Sequence, residues 1–200
     1  MIDDADLAKV KNGHLHMRAR WNPKTDLPET GAIQTKDKFS FKYGKIEARI
    51  KMPKFKGVWP AFWMLGANQD SVGWPKCGEI DIMEFIGNQP KDIYGTMHYP
   101  DPNSKANKSN GNKVVAENLE DDFHVYAIEW NEKTIDIYFD NNKYLSFPVD
   151  SAGLGDDNPF RKPFYLLLNL AMGANWPGPI DDSVLPQQFL VDYVRVYEKK

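Results

Sequence analysis

Apolar and polar residues alternate over short stretches through most of this chain. The segment YGKIEARIKM, residues 43–52, alternates apolar side chains with lysine, glutamate and arginine, a pattern typical of a β-strand with one face in water. The segments TIDIYFD and KYLSF flank Asn141 and Asn142 and predict a β-hairpin. The other predicted strands are TGAIQTKDKFS, VWPAFWML, GEIDIMEF, DIYGTMHY, DFHVYAIEW, PFYLLLNLAM and FLVDYVRVY. Many short strands separated by turn residues predict an all-β sandwich or barrel.

Two stretches break the alternation. Residues 100–113 and residues 152–159 are polar and rich in Gly, Asn and Pro, so we expect them to be surface loops. No internal repeat, low-complexity tract or linker divides the rest of the sequence. A chain of 200 residues is long enough to bury a substantial core in one unit. We therefore expect a single domain over residues 1–200.

Charge, cysteine content and hydrophobicity limit the kinds of partner, cross-link and membrane segment that this chain can have. The formal net charge is −3 and the 25 lysines and arginines are scattered, so the chain lacks the basic patch that binds nucleic acid. Cys77 is the only cysteine, which excludes an intrachain disulfide. No apolar run approaches the roughly 18 residues of a membrane-spanning helix, and the first residues are acidic rather than basic and apolar like a signal peptide. We expect an uncharged or weakly charged partner, no membrane span and no export signal in this sequence.

The segment GEIDIMEF carries three carboxylates whose spacing breaks the strand alternation. Glu79 and Asp81 share one face of a strand, whereas Glu84, five residues after Glu79, falls on the opposite apolar face. An unpaired carboxylate buried there would be very costly. One extra residue in a β-bulge near Ile82 and Met83 would return Glu84 to the face of Glu79 and Asp81. The sequence therefore predicts a bulge that gathers the three acids on one face.

That arrangement fits the chemistry of glycoside hydrolysis. With the bulge, the Cα atoms of Glu79 and Glu84 stand about 13 Å apart along the strand. Side chains that lean together then leave about 5 Å between the carboxyl groups, near the separation in retaining glycosidases. A solvated acidic strand face is the alternative that the alternation alone favours. The phase break at Met83 and the nearby tryptophans favour the catalytic interpretation.

Aromatic side chains accompany the carboxylates. The sequence has six tryptophans, of which four lie in short segments flanked by Pro or Gly: Trp59, Trp63, Trp74 and Trp176. In VWPAFWML the alternation places Trp59 and Trp63 on one face of a strand. Flat aromatic rings stack on sugar rings, although packing in the core is the commoner role of such residues. Because these tryptophans accompany two carboxylates, we interpret them as the walls of a sugar-binding cleft.

At these residues the chain resembles family 16 of the glycoside hydrolases, in its laminarinase-like branch. The active strand of that branch reads E-x-D-x-x-E, with a bulge, and EIDIME matches it. The resemblance extends from about Gly31 onward through the segments YGKIEARIKMP, GVWPAFWML, GTMHYP, FHVYAIEW, LNLAMGANWPG and VDYVRVY. It implies a concanavalin-like jelly-roll β-sandwich of two antiparallel sheets with a concave substrate cleft.

The resemblance also implies roles for individual residues. Glu79 is expected to be the nucleophile, Asp81 its assistant and Glu84 the acid/base, with no cofactor required for catalysis. His98 is expected near the acid/base and Arg49 at the sugar hydroxyls, although a structural histidine and a solvated arginine are the plainer alternatives. The expected platforms for sugar are Trp59, Trp63 and Trp176, with Trp74 a further contact.

A structural calcium ion is implied as well. Many members of the family hold one on the convex side of the sandwich, and Asp192 in VDYVRVY matches the position of its carboxylate ligand. A surface aspartate without metal is the alternative interpretation. Family members carry further segments before the region NGHLHMRARW, so we expect a domain shortened at its N-terminus. That departure leaves open the strand partner of the segment FLVDYVRVY.

The implied function is a monomeric, retaining endo-β-glucanase that hydrolyses β-1,3 or mixed β-1,3/1,4-glucans of the laminarin or lichenan type. Polysaccharides lie outside the cytoplasm, so we expect a secreted, periplasmic or cell-surface location. Two alternatives stay open. One is a galactan-cleaving relative of the agarase or carrageenase type, which would share the carboxylates. The other is a carbohydrate-binding sandwich without activity, which would need the tryptophans but not the two Glu.

Overall fold

The computed structural model describes residues 6–53, 55–181, 183 and 185–198. These residues are mainly β-strands: β1 (Ala8–Lys11), β2 (His14–Asn22), β3 (Leu27–Thr30), β4 (Ala32–Gln34), β5 (Gly44–Lys51), β6 (Val58–Gly66), β7 (Glu79–Phe85), β8 (Asp92–Pro100), β9 (Asn107–Val115), β10 (His124–Trp130), β11 (Thr134–Phe139), β12 (Asn142–Pro148), β13 (Phe164–Met172) and β14 (Gln187–Tyr197). One short α-helix, α1 (Gln69–Val72), follows β6. Single 3₁₀ turns cover Val149–Ala152, Gly155–Asp157 and Pro159–Arg161. No helix in the described part of the chain is long and apolar enough to cross a lipid bilayer.

The strands form two antiparallel sheets. The larger sheet has the order β1-β2-β14-β5-β10-β11-β12, with β3 paired to β2, and the smaller sheet has the order β4-β13-β6-β7-β8-β9. The sheets stack face to face and enclose one main hydrophobic core. The prediction of two packed antiparallel sheets is confirmed.

Alternation along each strand builds that core. In β5, Ile46, Ala48 and Ile50 are fully buried, whereas the charged residues between them lie on the outer face of the larger sheet. In β8, the inward residues Ile93 and Met97 are fully buried in the same way. Burial of a large aliphatic side chain contributes about 1.5–3 kcal/mol. The period of two in the sequence therefore fixes which face of each strand is available for a binding site.

The predicted hairpin forms with a small shift in its turn. Strands β11 and β12 pair antiparallel, and the residues with positive φ are Asp140 (45°) and Asn141 (68°). Two successive positive φ values are typical of a type I′ turn, which Asp and Asn tolerate better than most residues. The turn thus begins one residue earlier than Asn141 and Asn142. The register then shifts between Ile137 and Tyr138, which leaves Tyr144 as an extra residue in β12.

The prediction that residues 100–113 form a loop is wrong for the second half of this segment. Asn107–Val115 is strand β9, paired with β8 along the full register from Asp92–Val115 to Pro100–Asn107. Its side chains are almost all exposed, so the sequence shows no apolar alternation there. The free edge of β8 offers backbone hydrogen bonds that hold a polar strand in place. The N-terminal residues also add β1, β2 and β3, which the alternation did not indicate.

We expect Gly95→Ala to destabilise the fold by about 1–3 kcal/mol, because overpacking forces neighbours to shift. Gly95 lies on the inner face of β8, where a Cβ atom would come within 2.6 Å of the Tyr144 hydroxyl and 2.8 Å of Ile137 Cδ1. Urea unfolding measures the loss. Adding Tyr144→Phe, which removes the hydroxyl, should restore part of it. Equal stability of Gly95→Ala and the parent protein would contradict this account of the packing.

Candidate active site

The candidate site lies on the outer face of the smaller sheet, at its centre. Strand β7 carries the carboxylates and is flanked by β6 and β8. A cavity of about 210 Å³ opens there, lined by Trp59, Ala61, Trp63, Glu79, Asp81, Glu84, Asn169 and Ala171. The residues of β6 and β13 at this cavity are those that alternate with core residues on the same strands. Alternation therefore brings side chains from three strands to one pocket.

A bulge in β7 brings the carboxylates together. On β8, Thr96 pairs with Asp81 and Tyr94 pairs with Glu84, so that Ile82 and Met83 together face the single residue Gly95. Ile82 and Met83 are both fully buried, and Glu84 returns to the cavity with Asp81 and Glu79. The predicted bulge and the common face of the three acids are confirmed.

Two indole N–H groups bind the two glutamates. Trp59 Nε1 donates to Glu84 Oε1 over 3.1 Å, and Trp74 Nε1 donates to Glu79 Oε2 over 3.0 Å. Each carboxylate thus has its own neutral donor, which restrains its side chain without adding a positive charge. Trp63 differs, because its Nε1 donates to Asn169 Oδ1 over 2.7 Å.

The exposed tryptophans lie at opposite ends of the carboxylate pair. Trp176 packs edge-on against Trp59, with ring centroids 5.3 Å apart, and against Tyr94, with centroids 5.1 Å apart. Trp74 lies at the Glu79 end, 6.0 Å from the His98 ring. Trp74 is 48% exposed and Trp176 is 38% exposed, so both side chains are partly open to solvent. The structure places all four predicted tryptophans around the carboxylates.

His98 lies beside Glu79 and Asp81 rather than beside Glu84. It pairs with Glu79 across β7 and β8, and its Nε2 is 3.4 Å from Asp81 Oδ2 and 4.0 Å from Glu79 Oε1. Its Nδ1 is hydrogen-bonded to Ser109 Oγ over 2.8 Å. The register of β7 against β8 therefore sets His98 next to Glu79 and Asp81, and its charge also acts on Glu84, the expected acid/base.

Burial raises the pKa values of these acids above those of carboxylic acids at the protein surface. Loss of hydration and, after it, the charge of Asp81 raise the pKa of Glu84 to about 8, while the hydrogen bond from Trp59 and the charge of His98 oppose the rise. Burial is the largest cause, and the charge of Asp81 comes second. Glu84 is thus held as a neutral acid at neutral pH.

The pKa values of the other two acids also rise, for partly different reasons. Burial, and then the charge of Glu79, hold the pKa of Asp81 well above its usual range. Burial also raises the pKa of Glu79, but the neighbouring His98 and the hydrogen bond from Trp74 act in the opposite direction. The charge of His98 is the second-largest effect on Glu79, whereas at Glu84 it ranks behind the charge of Asp81 and the hydrogen bond from Trp59. The environment therefore favours the anion at Glu79 more than at Glu84.

The prediction for Arg49 is wrong. Arg49 lies on β5 in the larger sheet, on the outer face that alternates with the buried residues Ala48 and Ile50. Its guanidinium donates to Asp192 Oδ2 over 2.9 Å and lies 4.6 Å from the Phe123 ring. The sequence pattern gives the side of a strand but not the sheet to which the strand belongs. Arg49 is therefore remote from the carboxylates of β7.

Asp192, the expected calcium ligand, is paired with an arginine. Its carboxylate accepts the hydrogen bond from Arg49 and lies 3.9 Å from His14 Nε2, so a guanidinium already balances its charge. Calcium takes six to eight oxygen ligands, and no cluster of metal-ligating side chains forms around Asp192 among the described residues. Calcium binding stays an expectation from the resemblance, which the described side chains at Asp192 do not support.

Asn169 and Ser109 belong to the site but were not predicted. Asn169 lines the cavity and accepts from Trp63, and it is the one polar residue in the apolar run FYLLLNLAM. A single polar residue in an apolar strand was therefore the sequence feature that could have identified it as part of the site. Ser109 orients His98 from β9, within a stretch that the sequence presented as loop, so its polar neighbours gave no signal.

The chain is similar to several known glycan-cleaving proteins. It is 39% identical over 199 residues to the beta-glucanase of Rhodothermus marinus, covering 95% of this chain and 70% of that protein. It is 38% identical over 172 residues to the keratan-sulfate endo-1,4-beta-galactosidase of Sphingobacterium multivorum, covering 84% of this chain and 40% of that protein.

A solved structure shows the same architecture. The laminarinase catalytic domain of Thermotoga maritima superposes with a TM-score of 0.85 at 39% identity, covering 98% of this chain and 82% of that one. The predicted jelly-roll sandwich is thereby confirmed. The sequence model described as "Glycosyl hydrolases family 16" matches residues 3–195. Together with the EIDIME strand and its bulge, this match shows that the chain belongs to glycoside hydrolase family 16.

Proposed function

We propose that the chain is a retaining endo-β-glucanase that hydrolyses β-1,3 or mixed β-1,3/1,4-glucans. The observation that carries the proposal is the pairing of Glu79 and Glu84 on one cavity wall, with the pKa of Glu84 raised to about 8 by burial. A neutral acid beside a carboxylate that favours its anion is the pair that retaining glycosidases use.

In the first step Glu84 donates its proton to the glycosidic oxygen that leaves, while the Glu79 carboxylate attacks the anomeric carbon. The carbon–oxygen bond to the leaving sugar breaks, and its electron pair goes to the oxygen that Glu84 protonates. Trp74 restrains one oxygen of Glu79 by its hydrogen bond, which leaves the other oxygen for attack. The product of this step is a covalent glycosyl-enzyme.

In the second step Glu84, now an anion, removes a proton from water as the water attacks the anomeric carbon. The bond to Glu79 breaks and the sugar leaves with its original β configuration, since two inversions occurred. Asp81 lies between the two glutamates in the strand and is almost fully buried. Its charge raises the pKa of Glu84, which favours return of the proton to Glu84 for the next cycle.

The charge of the site favours a neutral polymer. Among the described residues no lysine or arginine lines the cavity, and the nearby Lys113 is paired with Asp92 at 2.6 Å. A sulfated glycan would place its negative charge beside these acidic side chains, with no lysine or arginine among the described lining residues to pair with it. This argues for a glucan over the substrate named for the Sphingobacterium relative. A binding protein without activity would have no use for the buried acid pair.

The length of the glucan substrate also indicates where the chain acts. A long glucan does not enter cells intact, so we propose that the chain acts outside the cytoplasm, as a secreted, periplasmic or cell-surface protein. One chain supplies both catalytic glutamates, which supports a monomer as the active unit.

Measuring sugar release from laminarin, lichenan, carboxymethyl cellulose, agarose and keratan sulfate tests the substrate class, and release from agarose or keratan sulfate alone would contradict it.

Variants of the two glutamates should separate their roles. Glu79→Ser should lower laminarin hydrolysis at least about 10⁴-fold, because the nucleophile acts in the transition state. Glu84→Ala should be nearly as impaired on laminarin yet keep activity on an aryl β-glucoside whose leaving group needs no proton. Glu117→Gln, at an exposed ion pair with Lys91, is the control. Equal losses for Glu84→Ala on both substrates would exclude Glu84 as the acid.

The pH dependence should report the proton on Glu84. Since burial raises the pKa of Glu84 to about 8, kcat/KM should fall as pH rises through that value and the acid loses its proton. Trp59→Phe removes the hydrogen bond that stabilises the Glu84 anion, so the alkaline limb should move to higher pH. Trp63→Phe, whose indole bonds Asn169 instead, should leave the limb in place. A limb that moves equally in both variants would refute the assignment.

Trp176 should contribute to binding rather than to chemistry. We expect Trp176→Ala to weaken laminari-oligosaccharide binding to the inactive Glu79→Ser protein about tenfold, since about 1.4 kcal/mol of lost apolar contact is a factor of ten. Tyr197→Ala, a comparably exposed aromatic on β14 of the larger sheet, is the matched control. Calorimetric titration measures both, and unchanged affinity in a folded Trp176→Ala protein would show that this ring does not contact sugar.

A further inference from the structure

Glu79, Asp81 and His98 form a compact group of metal-ligating side chains. One ligand atom from each lies within 4.8 Å of the others, and this is the one such group of three in the described part of the chain. We propose that these residues bind a divalent transition-metal ion of the Zn²⁺ class, and that the bound ion reversibly blocks the active site.

The distances are close to those of a formed site. Zinc lies about 2.0–2.2 Å from nitrogen and carboxylate oxygen, so the ligand atoms of a tetrahedral site stand about 3.3 Å apart. His98 Nε2 is 3.4 Å from Asp81 Oδ2 and 4.0 Å from Glu79 Oε1. The ligand atoms of Glu79 and Asp81 lie within 4.8 Å of each other, so closing the triad on an ion needs a shift of up to about 1.5 Å in the Glu79 side chain.

His98 is oriented for ligation. Its Nδ1 is hydrogen-bonded to Ser109 Oγ over 2.8 Å, because β8 and β9 place the two residues opposite each other. A partner at one ring nitrogen fixes the ring and directs the other nitrogen, here Nε2, at the ion. Nε2 faces both carboxylates. Ser109 is thus the outer partner that metal-binding histidines usually have.

Asp81 supplies an independent sign of a ligand. Its side chain is almost fully buried at 3% exposure, yet its Oδ2 atom has no hydrogen-bond partner and points toward His98. A buried carboxylate oxygen without a donor is unfavourable. The described residues that line the adjoining cavity include no lysine or arginine. A divalent cation would satisfy this oxygen and balance the charges of both carboxylates.

The chemical types of the three ligand atoms favour one class of metal ion. One imidazole nitrogen and two carboxylate oxygens suit Zn²⁺ and its transition-metal neighbours. Mg²⁺ and Ca²⁺ prefer six or more oxygen ligands, and the triad offers two carboxylates and a nitrogen. Three protein ligands leave a coordination position open toward the cavity. The ion would hold the Glu79 carboxylate away from the anomeric carbon.

Binding can be tested without any activity, by calorimetric titration of the folded protein with Zn²⁺. We expect one ion per chain, at least tenfold weaker binding in His98→Gln and Glu79→Gln, and a smaller loss in Ser109→Ala, which removes only the outer partner. His16→Ala, on the larger sheet, is the control and should bind as the parent does. Absence of one-to-one binding, or equal binding by His98→Gln, would overturn the site. Thermal melting verifies that each variant is folded.

The blocking effect rests on the proposed role of Glu79 and has its own readout. Zn²⁺ should inhibit laminarin hydrolysis competitively, chelator should restore activity, and Mg²⁺ at equal concentration should not inhibit. Full activity at zinc concentrations that saturate the titrated site would refute the blocking effect. A chain that binds Zn²⁺ through the triad but never hydrolyses glucan would disprove the proposed function while leaving the metal site intact.

Discussion

The arrangement of the site depends on one backbone irregularity, the bulge of β7. A regular strand turns residues five apart to opposite faces, which would place Glu84 in the hydrophobic core. Two residues, Ile82 and Met83, occupy the space opposite Gly95, and both enter the core completely. Their burial offsets the interrupted backbone pairing, since each large apolar side chain contributes about 1.5–3 kcal/mol. The bulge thus serves the core and the site at once.

The electrostatics follow from that placement. The bulge sets three carboxylates on one wall of a cavity where water is partly excluded, so the pKa of each rises. Neutral indole donors then act on the two glutamates separately, Trp59 on Glu84 and Trp74 on Glu79. His98 is the leading charge acting on Glu79, whereas Asp81 is the leading charge acting on Glu84, so the two environments are unequal. Unequal environments give two chemically similar groups different roles.

Local sequence pattern was enough for the bulge but not for the long-range pairing. The phase break between Asp81 and Glu84 predicts the bulge because a buried carboxylate is costly, and the structure bears this out. Arg49 could not be placed, because alternation does not tell which sheet a strand joins. Strand β9 was missed because it is held by backbone bonds to β8 and has no buried face. The partners of Trp59 and Trp74 likewise depend on contacts across strands and loops.

The central claim is that Glu79 and Glu84 act as a retaining pair, and the stereochemistry of the first product tests it most directly. Proton NMR during hydrolysis of a β-glucan oligosaccharide distinguishes the anomers before they equilibrate in water. A double displacement predicts that the β-anomer appears first and that the α-anomer grows only by mutarotation. An initial α-anomer would contradict the account, because it would mean a single displacement by water with no covalent bond to Glu79.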